Sequence, residues 1–119
     1  MRLYSIFFGF LLFMGFVSFN PIGKFYIEEP LERGKISLSY INIKNNLDIE
    51  LEKVSTKLFI YDLGLLYYSI PQDIEERDST TSVLVMPIPE DVTPGIYLAR
   101  ISVGNDNFRD IRHVYVRIR

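Results

Sequence analysis

From Lys24 onward the chain alternates apolar and polar side chains with a period of two, the signature of half-buried strands rather than of helices. Phe25-Tyr26-Ile27 predicts a short first strand, ended by Glu29-Pro30 and the turn Glu32-Arg33-Gly34. Lys35 to Lys44 alternates as Ile36, Leu38 and Tyr40, then changes phase to Ile41 and Ile43. A one-residue phase change flips the buried face, so the pattern predicts a bulge near Tyr40-Ile41. Asn45-Asn46 marks a turn. Val54, Thr56, Leu58 and Ile60 point inward from a third strand, with Ser55, Lys57, Phe59 and Tyr61 outward. Asp62-Leu63-Gly64 turns the chain, and Leu65 to Ile70 makes a fourth, edge-like strand closed by Pro71.

The acidic stretch Gln72 to Asp78 reads as a loop. Ser82, Leu84, Met86 and Ile88 face inward on a fifth strand, and Tyr97, Ala99, Ile101 and Val103 on a sixth. Gly104 to Asn107 is a hairpin loop, and Phe108 to Arg119 a last strand with Val114, Val116 and Ile118 inward. A helix at Leu47 to Lys53 is rejected, because its acids spread over all faces. Seven short strands divided by Gly, Pro, Asn and Asp predict an all-β, seven-stranded sandwich over residues 24–119.

The first 23 residues follow another rule. Leu3 to Phe19 is an almost unbroken apolar run preceded by Arg2, with Tyr4, Ser5 and Ser18 as its polar members. This predicts an N-terminal hydrophobic segment, over residues 1–23, that acts as an export signal or as a membrane-anchor helix. Either fate places Asn20 onward on the outer side of the membrane. The run is short for a bilayer span, and its small residues are badly spaced for cleavage, so both fates stay open.

Charge narrows the partners. The chain holds 13 Lys+Arg and 15 Asp+Glu, a net of −2. Setting Arg2 aside leaves a net of −3 for the domain, which argues against nucleic acid as a partner. With no cysteine, burial must hold the fold without disulfides.

The strongest local motif is Pro94-Gly95-Ile96-Tyr97-Leu98-Ala99. It resembles the corner of immunoglobulin-like sandwiches, where a Tyr near the start of the sixth strand bonds back to upstream backbone. The resemblance implies that Pro94 and Gly95 deliver Tyr97 to that corner, and that Ala99 stands where antibody domains carry a cysteine. Ile41 to Asn46, Leu51 to Val54, Tyr61 to Gly64 and Ile88 to Asp106 more specifically resemble the Ig-like modules of archaeal and bacterial surface proteins, the CARDB and S-layer-associated type. What that likeness implies is a cell-surface module; it names no ligand.

Candidate chemistry is sparse. His113 is the only histidine, placed outward by the alternation of the last strand, and no Gly-x-Ser-x-Gly nucleophile motif accompanies it. No catalytic residue, metal ligand set or cofactor site is assigned, and the chain reads as a non-enzyme. Asn105, Asp106, Asn107 and Asp110, and separately Asp73, Glu75, Glu76 and Asp78, carry oxygens that calcium could use, but neither segment matches a calcium loop. Phe59, Tyr61, Tyr67 and Tyr68 are expected to form an outward aromatic patch for a protein or a cell-envelope glycan. The functional expectation is therefore an exported, non-catalytic binding, adhesion or scaffold module. Carbohydrate binding and strand pairing in a surface assembly are its alternatives.

Overall fold

The computed structural model describes residues 21–119. The apolar run Leu3 to Phe19, with its expected signal or anchor helix, lies outside the described residues. Eight strands form among the described residues: β1 Ile22–Ile27, β2 Ile36–Lys44, β3 Leu51–Ile60, β4 Leu65–Tyr68, β5 Gln72–Ile74, β6 Ser79–Pro87, β7 Gly95–Gly104 and β8 Arg109–Ile118. The 3₁₀ turn Tyr61–Leu63 joins β3 to β4 and ends on Gly64 at φ 64. β1 starts two residues ahead of Lys24, and the Pro21 carbonyl already accepts the Lys44 N–H at 2.8 Å.

All named strand pairs are antiparallel, in two sheets. One has the order β1-β2-β6. The other has the order β4-β3-β7-β8, with β5 also on β3. Ile41, Ile43, Leu84 and Met86 from the first sheet meet Val54, Leu58, Ile60, Ala99, Ile101, Val116 and Ile118 from the second, all buried. Each fully buried Leu or Ile contributes about 1.5–3 kcal/mol relative to exposure, which is what holds a cysteine-free domain together.

The structure departs from the sequence reading in two strands. β2 carries no bulge: its register against β6 runs unbroken from Ile36↔Pro87 to Lys44↔Ser79. Ser37, Ser39, Ile41 and Ile43 all face the core, while Ile36 is 67% exposed. Two inward serines explain this. Ser39 Oγ lies 3.6 Å from Met86 Sδ, and Ser37 Oγ donates to Glu28 Oε1 at 3.3 Å, so both hydroxyls are small and satisfied. The register breaks fall instead between Ile22 and Phe25 and between Leu51 and Val54.

The second departure is β5, which lies inside the acidic stretch expected to be loop and raises the strand count from seven to eight. Ile74 pairs with Leu51 and is buried, and Asp73 Oδ1 accepts the Lys53 N–H at 2.9 Å, where Lys53 has φ 55.

Asn45 locks this end of the sandwich. It is 1% exposed, and its amide nitrogen reaches the carbonyls of Ile49 (2.8 Å), Ile74 (3.2 Å) and Glu75 (3.0 Å). Its Oδ1 accepts the Leu47 N–H at 3.1 Å, closing an Asx turn. One side chain thus ties the β2–β3 turn to β5. At the opposite corner the Tyr97 hydroxyl donates to the Thr93 carbonyl across Pro94 and Gly95, and Ala99 is fully buried.

Candidate functional site: the outer face of the larger sheet

Cross-strand register decides which side chains share the solvent face of the larger sheet. Phe59 stands opposite Leu66 of β4 on one side and Arg100 of β7 on the other, and Arg100 stands opposite His113 of β8. One row therefore reads Leu66, Phe59, Arg100, His113. The next reads Tyr68, Lys57, Ser102, Ile111. Leu98 and Tyr115 pair beside them, where the 3₁₀ turn carries Tyr61 over the row.

These side chains are organised on one another. Tyr61 meets Phe59 edge-to-face at 5.3 Å between ring centroids and stacks on His113 at 6.0 Å. The Tyr61 hydroxyl and His113 Nε2 are hydrogen-bonded at 3.0 Å, with the donor set by the imidazole tautomer. The Arg100 guanidinium carbon lies 5.6 Å from the centroids of both the Phe59 and Tyr61 rings. Each such cation–π contact contributes about 0.5–1 kcal/mol at an exposed site.

Along the paired strands of this face, away from the hairpin end, the outward charge has one sign. Lys57, Arg100, Arg109 and Arg117 occupy outward register positions, and no Asp or Glu does so on β4, on β3 from Ser55 to Phe59, on β7 or on β8. Asp110 falls on the inward phase, where its carboxylate accepts the Ile22 N–H at 3.3 Å. The ion pairs among the described residues lie elsewhere, at Glu32 with Lys35 and Arg119, and at Asp48 with Arg77. Arg100 Nε is buried without a hydrogen-bond partner, so its charge is held by rings rather than by a carboxylate.

Towards the β7–β8 hairpin the face deepens into an open groove of about 810 Å³. Ser55, Lys57, Arg100, Ser102 and Arg109 are among the residues lining it, and Glu50, Glu52 and Asp106 also contribute. Asn105 holds the hairpin: its amide donates to the Glu52 carbonyl at 2.8 Å, and its Oδ1 accepts the Asn107 N–H at 2.8 Å.

Of the four residues of the expected aromatic patch, three lie on this face. Phe59 and Tyr61 come together, and Tyr68 is 68% exposed beside Lys57. Tyr67 does not belong to it. Adjacent residues of a strand face opposite sides, so Tyr67 turns inward, is 8% exposed, and donates its hydroxyl to the Pro87 carbonyl of the other sheet at 2.7 Å. Burial pushes its phenol above the usual value. Arg100 and His113 were not grouped with the rings in the sequence, because only strand register brings together residues 54 positions apart.

Of the loop acids, Asp73 accepts the Lys53 N–H and Asp78 accepts the Ser79 N–H at 2.8 Å. Among the described residues no group of three or more His, Asp or Glu side chains converges to hold a metal. No helix among them is long and apolar enough to cross a membrane.

No protein-family model and no curated protein matches this sequence. Solved structures do match its fold. The chain is similar to the CARDB domain of a Pyrococcus furiosus protein solved in complex with di-metal ions, at 12% identity and TM-score 0.62, covering 88% of this chain and 95% of that one. It is similar to the C-terminal domain of wzt at 12% identity and TM-score 0.57, covering 84% and 74%. It also matches 30% of the alkylpurine DNA glycosylase AlkC of Pseudomonas fluorescens, solved bound to DNA containing an abasic-site analog. That match has 10% identity and TM-score 0.60 and covers 82% of this chain. At these identities the likeness is one of fold: this is a CARDB-like β-sandwich.

Proposed function

We propose that the chain is a non-catalytic binding module displayed on the outer side of a membrane, and that it holds its partner on the outer face of the larger sheet. The observation that carries this reading is the row Leu66, Phe59, Arg100, His113. It offers preorganised rings and a cation free of any carboxylate on an exposed strand surface. Rings already packed on each other lose little freedom on binding, and a guanidinium already held over them recognises an acidic group with its planar fork. His113 supports recognition rather than catalysis, since its imidazole is stacked and bonded to Tyr61. Display outside the cell rests on the apolar segment Leu3 to Phe19. A role beside a surface layer belongs to the same proposal.

The partner is a surface protein with an acidic patch. A second reading, an acidic envelope glycan, is favoured by the same mixture of ring faces and cations outside any ion pair, because sugars stack on rings while their carboxylates or phosphates meet Arg100, Lys57 and Arg109.

The test compares the full chain with a Phe59→Leu, Arg100→Gln double variant in binding to isolated envelope material. The reading expects at least tenfold weaker binding at a temperature where far-ultraviolet circular dichroism shows both proteins folded, the lost ring contacts lowering the melting midpoint by roughly 4–16 °C. Unchanged binding would overturn it. A panel of acidic polysaccharides separates the partners, since binding to none of them leaves the protein partner. For export, removing Met1 to Phe19 from a chain fused to an enzyme active only outside the cytoplasm should abolish the signal, and persistent activity would defeat that part.

A further inference from the structure

Among the described residues two open sheets leave four edges, and three of them are guarded against further pairing. β8 is covered at its end by Leu31, which forms a parallel bridge to Ile118 and exchanges backbone bonds with Arg117 (2.8 Å) and Arg119 (2.9 Å). β8 also carries Arg109, Asp110, Arg112, His113 and Arg117. β4 is four residues long and breaks before β5. β1 is short, holds Lys24 and has a register break between Ile22 and Phe25.

β6 differs from all three. It spans nine residues, Ser79–Pro87, with the sequence STTSVLVMP, no charged side chain and no break against β2. Sheet edges are ordinarily guarded by charge, bulges, Pro or short length. β6 has Pro87 alone, at its last position.

The free groups can be assigned. The Ile88 N–H donates to the Lys35 carbonyl at 2.9 Å, so the ladder toward β2 uses residues 88, 86, 84, 82 and 80. Strict alternation then turns the N–H and C=O of Thr81, Val83 and Val85 to the open edge. Pro87 falls in that same outward set; its missing N–H removes no ladder bond and its carbonyl already accepts the Tyr67 hydroxyl, so the open stretch runs from Thr81 to Val85.

We infer that this edge pairs with the β6 edge of a second copy of the chain, antiparallel about a two-fold axis through Val83, joining two three-stranded sheets into one of six. Self-pairing suits this strand because an uncharged sequence meets itself without repulsion. Val83 sits opposite the partner's Val83, and Thr81 opposite the partner's Val85, each pair exchanging both backbone bonds. The side chains continue as well. Tyr26, Tyr40 and Val83 form one cross-strand row ending at this edge, with the two rings stacked at 6.5 Å, and the axis extends the row into its own copy. Because such an axis is perpendicular to the joined sheet, both larger sheets lie on one side, and their outer faces look the same way. A dimer so built is bivalent. The pairing uses the smaller sheet only, so its failure would leave the Phe59–Arg100 face untouched.

The chain has no cysteine, which permits a register-specific test. Single-cysteine full chains in mild detergent are oxidised and read by non-reducing electrophoresis. Val83→Cys lies on the axis, at about 5.5 Å between Cα atoms of a ladder-bonded pair, within disulfide reach, and is expected to link. Thr81→Cys and Val85→Cys are each about 14–15 Å from their own copies and should not self-link, but a mixture of the two should. Leu66→Cys, on the other sheet, is the control for linking driven by the apolar leader. Val83→Lys, at a 44% exposed position, should abolish association with its melting midpoint within a few degrees of the parent. Val83→Cys linking no faster than Leu66→Cys, or Val85→Cys self-linking as readily as Val83→Cys, overturns the inference.

Discussion

Replacing Asn45 isolates the polar contribution to a fold held otherwise by apolar burial. Asn45→Ala removes an amide that serves three carbonyls and an oxygen that accepts the Leu47 N–H. Each net hydrogen bond contributes about 0.5–1.5 kcal/mol, and a buried carbonyl that loses its partner costs about 1–3 kcal/mol. Two amide protons shared among three acceptors do not count as three full bonds, so the expected loss is about 3 kcal/mol. That is a large part of the roughly 5–15 kcal/mol available to a small domain, and for about 100 residues it lowers the melting midpoint by roughly 12–24 °C. Asn45→Asp keeps the volume but aims a carboxylate at the same carbonyls, so at neutral pH it should be worse than alanine. Such a carboxyl has its folded pKa raised, so its stability is present below the unfolded value and lost as pH rises. Acidification should therefore recover part of the Asp variant and none of the Ala variant. Urea unfolding followed by far-ultraviolet circular dichroism and tyrosine fluorescence reads both. A loss below about 0.5 kcal/mol for Asn45→Ala, or an Asp variant as stable as the Ala variant at pH 7, would refute the reasoning.

Other changes probe other contacts. Tyr67→Phe removes the hydroxyl bond that ties β4 to Pro87 and should lower stability by about 1 kcal/mol at neutral pH, measured by the urea midpoint. Burial raises the Tyr67 phenol, so above its unfolded value near 10 the unfolded chain loses this proton first and stability falls as pH rises. The Phe variant should show a shallower alkaline fall between pH 9 and 11, and an identical slope would contradict the assignment. Gly104→Ala places a Cβ 2.3 Å from the Phe108 carbonyl oxygen and 3.0 Å from Arg109 Cα, both backbone, and should cost about 1–3 kcal/mol. Gly64→Asn, at φ 64 with nothing within 4 Å, should stay within about 1 kcal/mol of the parent; equal losses at the two glycines would dissolve the distinction.

The parts of the fold legible from sequence are those where apolar and polar residues alternate cleanly. Val54 to Ile60 and Ser82 to Ile88 face the core in the expected phase, because each inward position but Thr56 and Ser82 is aliphatic. β2 was misread for a physical reason. Its inward Ser37 and Ser39 are polar by type yet small and bonded, while the apolar Ile36 faces solvent. β5 is invisible to periodicity, being three residues with one apolar side chain, and Asn45, legible as a turn residue, gave no sign of its reach to Ile74 and Glu75.

The binding face was legible in composition but not in arrangement. Phe59 and Tyr61 could be placed outward from the pattern of β3, whereas Tyr67 and Tyr68, adjacent in a four-residue strand, could not both face out. The union of Arg100 and His113 with the rings depends on register across three strands, which no local pattern carries. The scattered cations of the last two strands likewise divide only in three dimensions. Arg112 donates to the Ile22 carbonyl at 3.1 Å and Arg119 pairs with Glu32, while Arg100, Arg109 and Arg117 stand on the open face. The Glu32 carboxyl, held by Arg119 and Lys35, lies below its usual range.

Resonance mapping is the most direct test of the central claim. Isotope-labelled protein is titrated with envelope extract, and side-chain and backbone shifts are followed on both outer faces. The account predicts that Phe59, Tyr61, Arg100 and His113 move together, with Lys57 and Arg109 beside them, while Tyr26, Ile36 and Asn42 of the smaller sheet stay still. Shifts confined to the smaller sheet, with the Arg100 row silent, would contradict it.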